Sequence, residues 1–473
     1  MSRRAKIIAT LGPATRQQER LTALMEAGMD AARLNFSHGT HEEHAGLIHA
    51  VRLAAQRAGR PVAILQDLQG PKLRTGPTAG DRPIRLEAGQ SIQLTSQPGP
   101  TTPTSISISC PTLARDLRPG ARVLLRDGEI QLQVVRIEGD RVIAEVTAGG
   151  DLGPEAGVHF PGLCLSSEAL TEKDLRDLAW GLKHDIDAVA LSFVRRPGDV
   201  RAIRKVMALQ APGPLQPWVI AKIERAEAIE ELPTILAEAD GVIVARGDLD
   251  LDVSSERVPS LQKRIIREAN TAGKIVITAT QMLESMIHSP RPTRAEVSDV
   301  ANAVFDGSDA LMLSGETAMG DYPVEAVEVM DRIIVDAEGN LTLGRPGETA
   351  VQDDAEATAR AARALATDRD VAAIAVFTRS GRTAQLMAKT RPPVPILAFT
   401  PEKRTLNRLN LCWGVEPHEV PLAVSIEAML DNVERVIHGK GRVLAGQQII
   451  LVASHPLGAI GPANFSLLHT LRP

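Results

Sequence analysis

A handful of side chains in this chain have the types and spacing to act on an anion beside a divalent cation. In Ala32-Arg33-Leu34-Asn35-Phe36-Ser37 the polar residues alternate with apolar ones, so an extended backbone puts Arg33, Asn35 and Ser37 on one face. An arginine followed by two small hydrogen-bonding residues suits phosphate oxygens. The run Trp218-Val219-Ile220-Ala221-Lys222-Ile223-Glu224 ends in a cation and a carboxylate two residues apart, again on one face. Gly241-Val242-Ile243-Val244-Ala245-Arg246-Gly247-Asp248 ends in a glycine turn and a second carboxylate. Lys222 can neutralise developing charge, Glu224 and Asp248 can hold a divalent metal, and the amides around Gly247 can hold an anion. Thr278-Ala279-Thr280-Gln281 and Ser314-Gly315-Glu316-Thr317 add hydroxyls after two further apolar runs.

Each feature alone has a plainer reading: a half-exposed strand, an ion pair, a helix cap. Their conjunction at successive strand ends is what makes an anion and metal site. No Walker A sequence or glycine-rich dinucleotide fingerprint is present, so a nucleotide would be bound by another scheme. His38, His41 and His44 share a helical face, but His44 adjoins the apolar Leu47 and Ile48 and no H-E-x-x-H scheme exists, which argues against zinc. Thr378-Arg379-Ser380-Gly381-Arg382-Thr383 has the composition of a phosphate loop at a helix N-terminus, and also that of an ordinary turn.

The elements that must position these groups follow from hydrophobic patterning. Short apolar runs at Lys6 to Leu11, Ala31 to Phe36, Val62 to Leu68, Ala188 to Phe193, Trp218 to Ile223, Gly241 to Ala245, Ile275 to Thr280 and Ala310 to Leu313 read as buried parallel strands. Helix-period segments lie between most of them, with capping-box spacing at Thr171/Asp174 and Thr293/Glu296. The expected fold class is α/β: a (β/α)₈ barrel with an inserted all-β domain after the third strand and a C-terminal α/β domain. The expected divisions are 1–69 and 162–338 for the barrel, 70–161 for the insertion and 339–473 for the C-terminal domain, with Gly339 to Thr349 as a linker. The charge-free stretch Val443 to Leu471 reads as buried strands and loops, because Gln447, Pro456, Pro462 and Asn464 interrupt it as a membrane span.

Composition removes several function classes. The 473 residues carry 53 Lys plus Arg against 58 Asp plus Glu, a net charge of −5, where a duplex nucleic-acid binder would carry a basic surplus. Aromatic residues are 2% of the chain, too few for base-stacking platforms. Cys110, Cys164 and Cys412 are far apart and odd in number, so no disulfide framework or zinc site is indicated and a reducing cytoplasm fits. Met1 to Leu11 is too short in its apolar part for a signal peptide. Neither a nucleic-acid nor a membrane partner is expected.

Together the motifs KIIATLGPAT from Lys6, ARLNFSHG from Ala32, QDLQGPKLRTG from Gln66, KIERAEAI from Lys222, VARGDL from Val244, TATQMLESM from Thr278 and PRPTRAEVSDVANAVFDGSDALMLSGETA from Pro290 resemble the pyruvate kinase family over nearly the whole chain. The resemblance implies transfer of the phosphoryl group of phosphoenolpyruvate to ADP, giving ATP and, after protonation, pyruvate in glycolysis. It implies that Arg33 binds the phosphoryl group, that Lys222 stabilises the transferring phosphate and the enolate, and that Glu224 and Asp248 hold Mg2+ or Mn2+. It further implies that the Gly247 and Asp248 amides take the substrate carboxylate, that Thr280 lies beside the reacting carbons with Ser314 nearby, and that Thr280, Ser314 or a water delivers the proton. Asn35, Arg74, Pro13 and His38 match nucleotide positions. The loop Thr378, Arg379, Ser380, Gly381, Arg382 and Thr383 matches an effector site for sugar phosphates, with AMP a further candidate effector. Allostery, a homotetramer and a cytoplasmic location are implied in the same way.

Where relatives that need potassium have Thr, Lys and Glu, this chain has Leu68, Gln69 and Lys72, resembling the bacterial branch that does not need it. The Lys72 ammonium is then expected to replace a monovalent cation near Asn35, Ser37 and Asp67. Other departures are Glu155 and Ala156 where a basic stretch usually stands, Asp250 in place of a usual Gly, and Met319 in place of a frequent Lys. They motivate a second reading, a degenerate relative that senses phosphoenolpyruvate or a sugar phosphate without turnover.

Overall fold

The computed structural model describes residues 3–78, 80, 82–163, 169–341, 353–440, 446–456 and 461–472. Cys164 and most of the expected linker lie outside the described residues. Eight parallel strands close a barrel in chain order: Lys6–Thr10, Ala31–Asn35, Ala63–Asp67, Ala188–Leu191, Trp218–Ile223, Gly241–Ala245, Ile275–Ala279 and Ala310–Leu313. All eight apolar runs are strands. Five stop one or two residues before the run does, and at two of these Phe193 and Thr280 take φ of 55° and 68° and turn the chain.

Period-two alternation splits every strand between two packings. Ile7, Leu34, Ile64, Val219 and Val242 pack outward against helix residues such as Leu21, Val51, Ile203, Ile235 and Met330. Ile8, Ala31, Ala63, Leu65, Ala190, Ile220, Ile243 and Ile277 form the inner filling, continuous with Ala359, Ala384 and Leu409 of the C-terminal domain. Small and branched aliphatics fill the barrel, consistent with the near absence of aromatics. Helices His41–Ala58, Glu172–Lys183 and Arg294–Phe305 all start in capping boxes, at Thr40, Thr171 and Thr293.

The chain leaves the barrel after the third strand and builds a seven-stranded sheet with a two-stranded companion. Its long strands Ile130–Glu138 and Arg141–Ala148 alternate buried and exposed residues around a core of Leu94, Val123, Leu132, Val142 and Val146. The C-terminal sheet runs Val415–Glu419, Ile396–Thr400, Val371–Phe377, Gln448–Ala453, Phe465–Thr470, with only the last strand antiparallel. The charge-free tail thus supplies two strands of this sheet.

This domain packs on the N-terminal end of the barrel through buried charge. Asp309, just ahead of the eighth strand, accepts from Val276 N at 2.8 Å and pairs with Lys389 and with Arg391 at 3.0 Å. Burial lowers the pKa of both cations, and Asp309 opposes that. Removing one partner of such a group leaves buried charge unpaired, at about 3–5 kcal/mol. Asp309→Asn should therefore lower the apparent Tm by roughly 3–5 °C in calorimetry; a Tm within a degree or so of wild type would mean the network adds nothing.

Candidate active site

The alternation that fills the barrel also builds its mouth. Residues sharing the inward parity of Ile8, Ala31, Leu65, Ala190 and Ile220 reach the C-terminal end as Thr10, Arg33, Asp67, Ser192 and Lys222. That is the end where barrel sites lie. Arg33 grips Asp67 with Nε and a terminal nitrogen, both at 2.7 Å, and donates to Thr10 Oγ1 at 3.0 Å. Lys222 Nζ lies 2.8 Å from Glu224 Oε1, 2.9 Å from Ser192 Oγ and 3.4 Å from Asp67 Oδ1.

These groups tune one another. Burial alone would lower the Lys222 ammonium, but Asp67, Glu224 and Asp248 outweigh it and hold its pKa above that of an ordinary lysine. Burial would raise Asp67, yet Lys222 and Arg33 hold it below the usual carboxylate range. Glu224 is pushed up by burial, with Asp248 adding to the effect and Lys222 opposing it. Phe193 N donates to Glu224 Oε2 at 2.6 Å, which explains the positive φ at Phe193: the turn aims its amide at the carboxylate.

Glu224 Oε1 is buried and, despite the nearby ammonium, has no aligned hydrogen-bond donor. Such an oxygen suits a cation. Among the described residues no cluster of three His, Cys, Asp or Glu side chains could hold a metal. Glu224 and the half-buried Asp248 would therefore share an ion with water and substrate oxygens, a donor set that fits Mg2+ or Mn2+.

Thr280 and Gln281 both have positive φ, a conformation a β-branched residue rarely holds. The Arg246 guanidinium maintains it, donating to Thr280 O at 2.5 Å and Gln281 O at 3.2 Å while pairing with Asp299 at 2.5 Å. Thr280 Oγ1 accepts from Gly247 N at 2.9 Å and donates to Ala279 O at 2.6 Å. An anion using the Gly247 amide would thus take over a donor that Thr280 now occupies. Ser314 is half-buried after the eighth strand, its N–H bound to Glu316 at 2.7 Å.

The expected nucleotide positions flank this mouth. Asn35 Oδ1 accepts from Ser37 N at 3.1 Å, Pro13 and His38 are exposed, and Arg74 stands on an insertion strand, donating to Glu155 O at 2.9 Å. Burial and the charges of Lys72, Arg74 and Arg33 lower His38, so a cationic rim surrounds it. Lys72 is exposed and lines a cleft between insertion and barrel with Phe193, Arg195, Arg225 and Asp248. Asp67 pairs with Arg33 and Lys222 rather than with Lys72. Asp250 does not line the cleft, and Met319 is 67% exposed. His44 stacks on Phe36 at 4.1 Å and His41 pairs with Asp177 at 2.8 Å, so both brace the segment bearing Asn35 and Ser37.

The loop from Thr378 to Thr383 is on the C-terminal domain, away from the mouth. Gly381, at φ 86°, caps helix Arg382–Lys389 and its N–H donates to Thr378 Oγ1 at 2.9 Å. Arg379 pairs with Glu402 at 2.9 Å and Arg382 with Asp353, beside a cavity of about 260 Å³. Sequence reasoning did not anticipate Ser192, Arg246 or the role of Asp67 as shared counter-ion. The signal for Asp67 and Ser192 was available, since each ends an apolar run as Arg33 and Lys222 do.

A barrel mouth that pairs two half-buried cations with clustered carboxylates beneath a β-rich insertion defines an enzyme built for anionic substrates. The comparisons narrow that class to phosphotransferases. Residues 2–327 match the family described as pyruvate kinase, barrel domain, and residues 356–469 match pyruvate kinase, alpha/beta domain. The pyruvate kinase of Mycobacterium intracellulare is 43% identical over 471 residues, 100% of this chain and 99% of that protein. That of Geobacillus stearothermophilus is 43% identical, covering 100% of this chain and 81% of its own. A crystal structure of a pyruvate kinase from Cryptosporidium parvum superposes with a TM-score of 0.92 at 35% identity, covering 99% of this chain and 96% of the other. The chain belongs to the pyruvate kinase family.

Glu224→Gln keeps the shape and the Phe193 contact but removes the charge a metal needs. Mn2+ binding measured by titration calorimetry should weaken at least about tenfold; wild-type affinity would take Glu224 out of the ion's ligand set.

Proposed function

We propose that this chain catalyses phosphoryl transfer from phosphoenolpyruvate to ADP, with a divalent metal and without a potassium requirement. The observation that supports it best is the Arg33–Asp67–Lys222–Glu224 constellation at the barrel mouth of a family member. The reaction breaks the bond between the enol oxygen and phosphorus and forms one from phosphorus to a β-phosphate oxygen of ADP. The enolate of pyruvate left behind then takes a proton at carbon to become pyruvate. Phosphoryl transfer passes through a loose transition state, so positioning and cations matter more than covalent chemistry.

Arg33, held by Asp67 and Thr10, is oriented to bind the phosphoryl oxygens. Lys222, kept protonated by its carboxylates, offers fixed positive charge to the transferring phosphate and the enolate oxygen. Mg2+ or Mn2+ bound by Glu224 and Asp248 would supply further charge stabilisation on those oxygens. The amides of Gly247 and Asp248 receive the substrate carboxylate, and the displaced Thr280 hydroxyl then stands free beside the reacting carbons. Asn35, Pro13, His38 and Arg74 receive the nucleotide on the cationic rim.

Among the described residues no helix is long and apolar enough to cross a membrane, in keeping with a cytoplasmic enzyme. A homotetramer and a sugar-phosphate or AMP effector at Thr378 to Thr383 complete the reading. The two arginines of that loop already hold carboxylates, so an anionic effector would have to compete with Glu402 and Asp353.

The test is ATP formation from phosphoenolpyruvate, ADP and magnesium in potassium-free buffer, with sugar phosphates and AMP added. Turnover is expected, and Lys222→Met should cut kcat by about 10²–10³. Binding of phosphoenolpyruvate without product would overturn the catalytic reading in favour of a sensor. Potassium independence rests on the residue type at Lys72, an exposed ammonium at the cleft beside the mouth, while Asp67 is taken by Arg33 and Lys222. Lys72→Glu should lose most activity in potassium-free buffer and regain it when potassium is added; a rate that stays indifferent to potassium would discard the role.

A further inference from the structure

The insertion and the barrel are joined near the mouth by a knot of buried charge. His159 ends the insertion strand Gly157–His159, and its Nε2 lies 3.1 Å from Asp252 Oδ1 and 3.4 Å from an Arg225 terminal nitrogen. Arg225 is 3.3 Å from Asp252 and donates to Leu163 O at 2.7 Å, while Asp252 also accepts from Gly162 N at 3.2 Å and Ala226 N at 2.6 Å. Side-chain exposures are 10%, 8% and 1% for His159, Arg225 and Asp252, so solvent does little to screen the knot.

Its place in the chain gives it consequence. Arg225 directly follows Glu224, and Asp252 ends the short helix Arg246–Asp252 that bears Gly247 and Asp248. The two segments that present the metal carboxylates are therefore tied to each other and to the insertion at the same point. On the insertion side, Gly157 pairs with Arg74 and Val158 with Leu73, so the strand ending at His159 also bears on the expected nucleotide arginine. The other crossing, at Gly70, is a tight turn: φ is 69°, and a Cβ there would come within 2.9 Å of Phe193 Cδ2 and Ser192 Cβ.

We propose that His159, Arg225 and Asp252 act as positioning residues, a clasp that sets the register of the insertion, and with it Arg74, against the metal and phosphoenolpyruvate groups on the barrel. The phosphoenolpyruvate groups, Arg33, Lys222, Thr280 and Ser314, all belong to the barrel. The nucleotide groups are divided between barrel and insertion. Loosening the clasp from the insertion side should then cost nucleotide binding and spare phosphoenolpyruvate binding. This inference rests on the substrate assignment made above.

The test compares His159→Ala and His159→Gln with wild type. In His159→Ala the KM for ADP should rise at least fivefold while the Kd for phosphoenolpyruvate, measured without nucleotide, stays within twofold. His159→Gln, which keeps a donor for Asp252, should restore most of the ADP affinity. Hydrogen exchange at Gly162 should quicken in His159→Ala and not in His159→Gln. Parallel loss of both substrates, or no change in either, would overturn the clasp. If wild type makes no ATP, the substrate assignment fails, and calorimetric Mg-ADP binding to the same three proteins still decides the clasp.

Discussion

Two largely buried cations, Arg33 and Lys222, with side chains 11% and 12% exposed, share the barrel mouth because the Asp67 carboxylate stands between them. At such separation in a weakly screened site, like charges repel strongly, and one buried anion held by both offsets much of that repulsion. Asp67 is itself kept ionised by the pair, and with Glu224 and Asp248 it keeps Lys222 protonated against burial and the like charge of Arg33. Glu224 extends the chain of charge on the other side of Lys222, and Ser192 fills the gap between the ammonium and the third strand, donating to Leu68 O at 2.6 Å. A mouth wired in this way needs little rearrangement to receive charged substrates, which is the condition for electrostatic catalysis.

The barrel makes that wiring possible through geometry alone. Each strand contributes its inward column to the filling, and in the first five the column emerges at the mouth, where apolar side chains give way to Thr, Arg, Asp, Ser and Lys. The opposite end of the same columns meets the C-terminal domain, where Asp309 binds Lys389 and Arg391. Lys389 closes the helix that starts at Gly381, and Asp309 also holds Val276 in the strand that leads to Thr280. One helix and one strand thus separate the anion-suited loop of the C-terminal domain from the strained turn at the mouth.

Strain and support are balanced at that turn. Thr280 stays in a left-handed conformation because Arg246 binds three successive carbonyls, from Ala279 to Gln281, and is itself held by Asp299. Strain of this kind persists where surrounding contacts over-determine the backbone. A hydroxyl on such a turn is presented in one orientation, toward the Gly247 amide.

The sequence by itself determined the strands, their parity and the identity of the residues at their ends. Alternation and apolar runs are local properties, so Arg33, Asn35 and Ser37, or Lys222 and Glu224, could be assigned to shared faces from spacing alone. Capping boxes at Thr171 and Thr293 and the β-rich break after the third strand were legible for the same reason. Only the tertiary structure decided which charge meets which. That Asp67 binds Arg33 and Lys222 at once, that Arg246 turns under Thr280 toward Asp299, and that His159 finds Asp252 across 93 positions depends on closure of the barrel. Ion pairing is set by distance in space and by burial, and neither is encoded in the spacing of residues along one strand.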